Sequence, residues 1–348
     1  MMRPKWLMLC AAALAGGVCG CGSSGPKYVP VSGTLTLDGK PYGDGVVVFL
    51  PKATPGNPNP GRSSAGETDS NGHFVLKTDE MKNGGRIWGP AVQLYALRSQ
   101  RNWGIGDFGD LLRLIGQWAR RGASVIGLSP LHALFPHDPA RASPYSPSSR
   151  LALNVLYIEV DALDEIRTGG AARALVESAP FQQRLRQLRD AERVDYSGVA
   201  AAKFQALALA YGEFRERHLN RATSRSRAFR EFQQREGEPL RHHALFEALQ
   251  ERFHAQDAAA WGWPAWPAEY RDPGGAAVRE FCEQHLERVE YFEYLQWEAM
   301  RQLERVVDRC KALGLAGGLY LDIAVSVDRG GAEAWANQQC YALAPRPL

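Results

Sequence analysis

Hydrophobic residues change from strand spacing to helix spacing and back along the second part of the chain. A short apolar run at residues 91–97 predicts a strand. A helix is predicted to begin near Asp107 and end at Gly122, followed by a buried strand at residues 124–128. One face of this helix carries the apolar residues Phe108, Leu111, Leu112, Ile115, Trp118 and Ala119.

The same order of elements returns near the carboxyl terminus. A second apolar stripe at helical spacing ends at Gly314, and residues 318–325 predict a third strand. The stripe consists of Phe292, Leu295, Ala299, Leu303, Val306, Cys310 and Leu313. Between the second and third strands lies a long helical insertion, about residues 160–290. Strands that alternate with helices predict an α/β fold with parallel strand pairing.

Residues 28–85 show the alternating pattern of β structure instead. Strands are predicted at residues 31–37, 46–50 and 73–77, and Asp38-Gly39 is a hairpin signal. The segments VSGTLTLDGKPYGDGVVVFLP and GETDSNGHFVLKT resemble carboxypeptidase-regulatory-like β-sandwich domains. Closing strands are not evident after Thr78, so we expect a small, partial β-sandwich module.

The first 21 residues have the pattern of an export signal. Arg3 and Lys5 precede an apolar stretch that is shorter than the about 20 residues needed to cross a membrane. The segment Val18-Cys-Gly-Cys21 resembles a bacterial lipoprotein box, in which Cys21 would carry the lipid. The alternative is an ordinary cleaved signal. Cys282, Cys310 and Cys340 are instead typical of buried thiols in a reducing compartment.

Composition separates the same two parts. The 348 residues, 45% of them hydrophobic, predict roughly two domains. A net charge of +3 argues against a nucleic-acid partner. Residues 1–85 contain 6 Lys and 2 Arg, whereas residues 86–348 contain 2 Lys and 31 Arg. Because neither part has a large net charge, the change in usage indicates a difference of origin rather than an electrostatic function.

Two motifs that could indicate a cofactor or a metal are set aside. The glycines of Gly104-Ile-Gly106-Asp107-Phe-Gly109 fit the dinucleotide fingerprint, but Asp107 would direct a carboxylate at the pyrophosphate. No acidic residue lies about 20 positions further on to hold a ribose. The pair His242-His243 lacks companion ligands. We therefore expect neither a dinucleotide-binding loop nor a metal site at these residues.

Several segments in the second part resemble one enzyme family. They are WGPAVQLYALRSQRNWGIGDFGDLLRL, GLSPLHALFPHDPARASPYSPSSRLALN, VDYSGVAAAKFQAL, YLQWEA and GLYLDIAVSVDRGGAEAWA. In this order they resemble bacterial 4-α-glucanotransferase (amylomaltase, glycoside hydrolase family 77). The resemblance implies that residues 86–348 form the N-terminal part of a (β/α)8 TIM barrel, which with three visible strands would be incomplete. It also implies transfer of α-1,4-glucan segments between maltodextrins without an organic cofactor.

The resemblance also assigns substrate contacts. Ser143 and Tyr145 match the family's S-P-Y segment, in which the tyrosine packs against a sugar, and Asp322 matches an aspartate that lines the donor site. His132 follows the second strand, at the end of a barrel where active sites collect. Alternation in strand 318–325 predicts that Asp322 faces the barrel interior. The alternatives are a loop anchor for Tyr145, a buried ion pair for Asp322 and a satisfied loop histidine for His132.

No catalytic residue is assigned. Retaining transfer needs a nucleophilic carboxylate and an acid/base carboxyl about 5–5.5 Å apart. The resemblance places both on later strands, beyond the point that Leu348 matches, so we expect the chain alone to be inactive. Trp261, Trp263 and Trp266 could form a sugar platform, but we favour hydrophobic loop packing.

Three hypotheses remain open for the whole chain. The first is an amylomaltase-type glucanotransferase, truncated and joined to a lipoprotein leader. The second is a surface-anchored lipoprotein that binds glucan without cleaving it. The third is a chimera joined near Gly85 by an assembly or gene-prediction error. The expected partner is an α-1,4-glucan or maltodextrin. Location is at the membrane through a lipid anchor if the leader is genuine, and cytoplasmic, as for the family, if it is not.

Overall fold

The computed structural model describes residues 31–37, 40–43, 45–49, 64–76 and 87–341. Contacts divide the chain into two units, Met1–Arg86 and Ile87–Leu348. The predicted export signal at residues 1–21, with Cys21, lies outside the described residues. Among those residues, no helix is long and apolar enough to cross a membrane.

The described part of the first unit is a set of short antiparallel strand pairs. Strand β1 (Val31–Thr34) pairs with β6 (His73–Leu76), β2 (Thr36–Leu37) with β3 (Lys40–Pro41), and β4 (Val46–Phe49) with β5 (Ser64–Glu67). Leu37 lies opposite Lys40. The predicted hairpin signal, Asp38-Gly39, lies outside the described residues. Strand β5 was not predicted, because SAGE lacks the β-branched residues typical of strands.

The second unit contains a three-stranded parallel sheet. Its order is β11 (Gly318–Leu321), β8 (Val125–Leu128) and β7 (Ala91–Val92). Two predicted strands are shorter than expected. The chain leaves β7 after Val92 and turns through a 3₁₀ segment at Leu94–Ala96, whereas β11 ends at Leu321 rather than at residue 325.

Helix α1 (Phe108–Ala119) connects the first two strands, close to its predicted bounds. The Asp107 carboxylate accepts a hydrogen bond from the Asp110 backbone N–H, and the Asp110 carboxylate accepts one from the Asp107 N–H. This reciprocal cap satisfies two N–H groups that a helix start leaves unpaired. Arg101 contacts Asp107, Asp110 and Glu159, so the glycine-rich segment is an acidic helix cap rather than a phosphate loop.

A largely helical region separates β8 from β11. Strands β9 (His132–Ala133) and β10 (Ser149–Leu153) come first and pair antiparallel. The helices are α2 (Asp164–Thr168), α3 (Ala171–Glu177), α4 (Ala179–Asp190), α5 (Tyr196–Arg217), α6 (Ser224–Gln256), α7 (Ala276–Gln284) and α8 (Leu286–Ala312). Helix α9 (Ala332–Ala336) follows β11.

Two long helices, α6 and α8, pack against each other, and α8 also contacts α1. Helix α6 is broken at Gly237, whose φ of 56° is strained for residues with a side chain, and Pro239 follows the break. The buried face of α8 includes the predicted stripe residues Leu295, Ala299 and Val306. This packing fixes the second half of α6 beside β10 and α9.

Candidate functional site

Two loops at the carboxyl ends of β8 and β11 form the candidate site. The first loop runs from β9 to β10 and carries Ser143 and Tyr145; the second follows β11 and carries Asp322. The Asp328 N–H donates to the Pro147 carbonyl at 2.8 Å, and the Glu333 N–H donates to the Ser148 carbonyl at 3.0 Å. A Cβ on Gly331 would lie 2.5 Å from the Ser148 carbonyl oxygen, so glycine permits this close approach of the loops.

Tyr145 and Asp322 meet directly at the surface. The Tyr145 hydroxyl donates to Asp322 Oδ2 at 3.0 Å across 177 residues of sequence. Tyr145 is 58% exposed, and Asp322 is also exposed. The hydrogen bond to Asp322 raises the pKa of the Tyr145 phenol. The site therefore presents an accessible aromatic ring beside a carboxylate.

Asp322 is exposed in the described part of the chain, one residue beyond the end of β11 at Leu321. Its predicted orientation towards a barrel interior stays a prediction. The Asp322 N–H still donates to the Leu128 carbonyl at 3.0 Å, which fixes this residue against the end of β8. A buried ion pair for Asp322 is thereby excluded.

His132 lies beneath the second loop rather than at the surface of the site. Its Nε2 accepts a hydrogen bond from the Ala324 N–H at 3.3 Å, so this nitrogen carries no proton. Burial lowers the pKa of His132, against the opposing effect of the Glu333 carboxylate. The residue therefore connects the loop after β8 with the loop after β11.

The other residues singled out in the sequence are distributed around these loops. Ser143 is exposed, and its carbonyl accepts from the Ser146 N–H at 3.2 Å, closing the turn that presents Tyr145. Trp266 is buried, as loop packing predicts, but Trp261 is 46% exposed. The Trp261 carbonyl accepts from Arg141, which also forms an ion pair with Asp328.

A charged centre that the sequence did not indicate holds the second loop. Arg150 donates to Glu333 from its backbone N–H at 2.6 Å and from Nη2 at 2.7 Å, and the Tyr341 hydroxyl also donates to Glu333. Burial alone would raise the pKa of Glu333, but these hydrogen bonds bring it below its ordinary value. Arg150 and Glu333 lie 183 positions apart.

Exposed apolar side chains lie on β11 and in the loop after it, next to the site. Tyr320 of β11 is 72% exposed, and Ile323 and Val325 of the following loop are 66% and 97% exposed. Within the described part of the chain, no strand pairs with the edge of β11 opposite β8. The described residues also contain no group of three or more His, Cys, Asp or Glu side chains placed to hold a metal ion. The arrangement suits a ligand with both apolar faces and hydroxyl groups.

Comparison with known proteins decides the family. The family model described as 4-alpha-glucanotransferase matches residues 92–346. The chain belongs to the 4-α-glucanotransferase family. It is 37% identical over 259 residues to the 4-α-glucanotransferase of Haemophilus influenzae, a match that covers 74% of this chain and 37% of the relative. It is 32% identical over 322 residues to the enzyme of Mycobacterium tuberculosis, covering 88% of this chain and 42% of the relative.

Solved structures agree with this membership. The amylomaltase of Corynebacterium glutamicum aligns with a TM-score of 0.55 and 25% identity, covering 88% of this chain and 44% of that chain. The amylomaltase of Streptococcus agalactiae, solved in complex with acarbose, aligns with a TM-score of 0.59 and 19% identity, covering 75% and 48%. The latter supports the fold alone. The chain thus spans less than half the length of these glucanotransferase relatives.

Proposed function

We propose that this chain provides the glucan-binding N-terminal part of a 4-α-glucanotransferase, with Tyr145 and Asp322 as the centre of the sugar site. The hydrogen bond between these two side chains carries the proposal. A sugar ring has an apolar face that packs on an aromatic ring, and hydroxyl groups that donate to a carboxylate. Ser143 and His132 support the site by shaping the two loops.

Transfer of a glucan segment requires chemistry beyond this sugar contact. A retaining mechanism uses a nucleophilic carboxylate and an acid/base carboxyl on either side of the scissile bond. We assign Asp322 to substrate contact, and in the family resemblance the reacting carboxylates lie on later strands. In this proposal the chain by itself binds maltodextrin but does not transfer it.

Calorimetry with maltoheptaose tests the binding half of the proposal. We expect heat of binding for the full chain at millimolar sugar, and affinity at least about tenfold lower for Tyr145→Ala, which removes the ring and the hydroxyl. Tyr42→Ala, in the other unit, is the matched control for loss of an exposed tyrosine. Equal affinity in all three proteins contradicts the assignment.

Incubation with maltotriose tests the catalytic half. No release of glucose and no longer maltodextrins are expected from the chain alone. Glucose release that persists in Asp322→Asn would show that the chain carries a complete catalytic apparatus elsewhere. Release that is lost in the same variant would give Asp322 a catalytic role.

The proposal also covers the architecture of the two parts of the chain. We infer that residues 86–348 correspond to the first part of a (β/α)8 barrel with a helical insertion, because three parallel strands are connected in the order that such a barrel requires. Residues 28–85 are proposed as a partial β-sandwich module, on the support of the strand pairs in that unit.

Membrane anchoring through Cys21 is a separate proposal that rests on the sequence of the first 21 residues. Expression in a bacterium with labelled palmitate should label the wild-type chain and place it in the membrane fraction, while Cys21→Ser remains unlabelled. An unlabelled wild-type chain in the cytoplasmic fraction would support the alternative location.

A further inference from the structure

Trp261 presents an exposed indole ring beside the second loop of the candidate sugar site. It lies in the segment between α6 and α7 and is 46% exposed. The two tryptophans that follow it use their indole N–H groups within the fold: Trp263 donates to the Arg329 carbonyl and Trp266 to Gln250, each at 2.8 Å. The Trp261 indole N–H has no such partner among the described residues, so both its ring face and its donor remain open to a ligand.

Contacts with both loops hold Trp261 in place. Arg141 of the first loop donates to the Trp261 carbonyl at 3.2 Å and forms an ion pair with Asp328 of the second loop. The guanidinium carbon of Arg141 lies 3.7 Å from the ring centre of the buried Phe135. A side chain on Gly330 would overlap the Trp261 ring, so the indole packs directly on the backbone of the second loop. An aromatic ring that is fixed in advance binds a ligand at a lower cost in entropy.

Trp261 and Tyr145 lie within reach of one glucan chain. The Asp328 N–H donates to the Pro147 carbonyl at 2.8 Å, so the two loops touch at this point. Tyr145 precedes Pro147 by two positions, and Gly330 follows Asp328 by two. Because each residue extends a chain by at most about 3.6 Å, the Cα atoms of Tyr145 and Gly330 are no more than about 20 Å apart. A maltodextrin of several rings can therefore contact both aromatic side chains.

The exposure of Trp261 distinguishes it from a tryptophan that only packs a loop. Trp266, in the same segment, is 1% exposed and has its N–H paired. The charged groups next to Trp261, Arg141 and Asp328, neutralise each other in their ion pair, which favours a neutral ligand over an ion. A sugar ring meets these conditions, because its apolar face packs on the indole while a hydroxyl oxygen accepts from the indole N–H.

We propose that Trp261 contacts a second ring of the glucan bound at Tyr145, further along the same sugar chain, so that affinity increases with maltodextrin length. This inference rests on the proposed function of the Tyr145 site and adds a chain-length preference to it.

Calorimetry with maltose and maltoheptaose on the full chain tests the inference. Trp261→Ala should lower the affinity for maltoheptaose at least about fivefold and leave that for maltose unchanged, because maltose is too short to add the second contact. Trp261→Phe keeps an aromatic ring and should lose less. Trp88→Ala is the matched control: Trp88 is 47% exposed, but its carbonyl accepts from the Ser124 N–H at the amino end of β8, the opposite end from both loops. Its affinities for both sugars should equal those of the wild type.

Tyr145→Ala separates failure of this inference from failure of the proposed function. If Tyr145→Ala weakens binding of both sugars while Trp261→Ala weakens neither, the second contact is wrong and the Tyr145 site stands. If Tyr145→Ala weakens neither sugar, or the wild type binds neither, the proposed function is wrong and the inference fails with it. An equal loss for maltose and maltoheptaose in Trp261→Ala would also overturn the inference, since it would place Trp261 against the same ring as Tyr145.

A second measurement keeps the test valid if Trp261→Ala fails to fold. Fluorine NMR of the chain with fluorinated tryptophan follows each indole ring without removing it. The Trp261 signal, assigned through Trp261→Phe, should shift with maltoheptaose and not with maltose, while the Trp88 signal stays in place. A Trp261 signal that does not respond to saturating maltoheptaose would overturn the inference.

Discussion

The second unit pairs a tyrosine with a carboxylate in two places, one buried and one exposed. Around Arg225, Glu165 and Glu298 are buried and accept from the guanidinium at 2.9 Å and 2.8 Å. The Tyr294 hydroxyl donates to Glu165 at 3.1 Å, and the Arg225 guanidinium lies 5.0 Å from the Trp297 ring centre. At the candidate sugar site, a tyrosine also donates to a carboxylate, but both partners are exposed and share one hydrogen bond.

The difference in burial distinguishes carboxylates that stabilise the fold from a carboxylate that can bind a ligand. A buried carboxylate must have its hydrogen bonds filled by the protein itself, so the Arg225 cluster stabilises the helical region and has little capacity left for a ligand. The exposed Asp322 carboxylate accepts one hydrogen bond from the Tyr145 hydroxyl and one from the Ile323 N–H, and it retains free acceptor positions for the hydroxyl groups of a sugar. The same chemical pair therefore serves stability in one place and binding in the other.

Breaking the buried cluster should have the largest effect. Arg225→Gln leaves Glu165 buried without its cation and leaves Glu298 with Arg301 as its remaining cation, and we expect the free energy of unfolding to fall by about 3–5 kcal/mol. Urea titration measures the change. Arg227→Gln, on the exposed side of the same helix, is the control and should change stability by less than about 0.5 kcal/mol. Similar losses of stability in both variants would contradict the conclusion that the buried ion pairs of Arg225 stabilise the helical region.

Acid should weaken the buried region through His243. The pKa of His243 in the folded chain is about 4, below the ordinary 6.5. Between these two pH values the folded chain therefore binds fewer protons than the unfolded chain. Stability is lost as the pH falls from 6.5 towards 4. The expected loss is about 3 kcal/mol. Glu247, also buried, has a raised pKa and acts in the opposite direction. His243→Gln should make the free energy of unfolding, measured by urea titration at several pH values, depend less on pH. An unchanged dependence would exclude His243 as its source.

Replacing Lys203, a second buried titratable group, should have a smaller effect on stability. Its buried amine donates to the Leu156 and Ile158 carbonyls at 2.7 Å each. Lys203→Met should lower the free energy of unfolding by about 1–3 kcal/mol, because both carbonyls lose their donor. The exposed Lys311→Met is the control.

The pH dependence of the Lys203 variant has a defined sign. Burial lowers the pKa of Lys203 to about 8, so the wild type should gain stability relative to Lys203→Met as pH rises from 8 towards 10.5. A difference between the two proteins that does not change over this range would show that the amine titrates normally.

We expect the smallest effect on stability at the exposed pair of Tyr145 and Asp322. Tyr145→Phe removes one solvent-exposed hydrogen bond and should change the free energy of unfolding by less than about 0.5 kcal/mol. The variant keeps the ring, so its affinity for maltoheptaose should lie between those of the wild type and Tyr145→Ala. A large loss of stability would mean that the pair is structural.

Local patterns predicted several elements well. Asp107 was placed at the start of α1 by its position before the apolar stripe, and the stripe of α8 identified its buried face, because both depend on neighbours within one or two turns. The second strand was predicted within one residue. Parallel pairing of β8 with β11 also followed from the order of strands and helices.

Features that depend on distant partners were not predictable in this way. Strand β11 ends at Leu321, four residues before the predicted end, and Asp322 beyond it is exposed. The Arg150–Glu333 contact joins residues 183 positions apart and has no local signature. Tyr145 and Asp322 were selected through family resemblance, and only the fold shows that they touch.

Contact between a glucan and the ring of Tyr145 can be observed by NMR of the chain with isotope-labelled tyrosine, recorded during titration with maltoheptaose. We expect the ring signals of Tyr145, assigned through Tyr145→Phe, to shift progressively with added sugar while those of the control residue Tyr42 stay in place. Unchanged Tyr145 signals at saturating sugar would contradict the proposed contact.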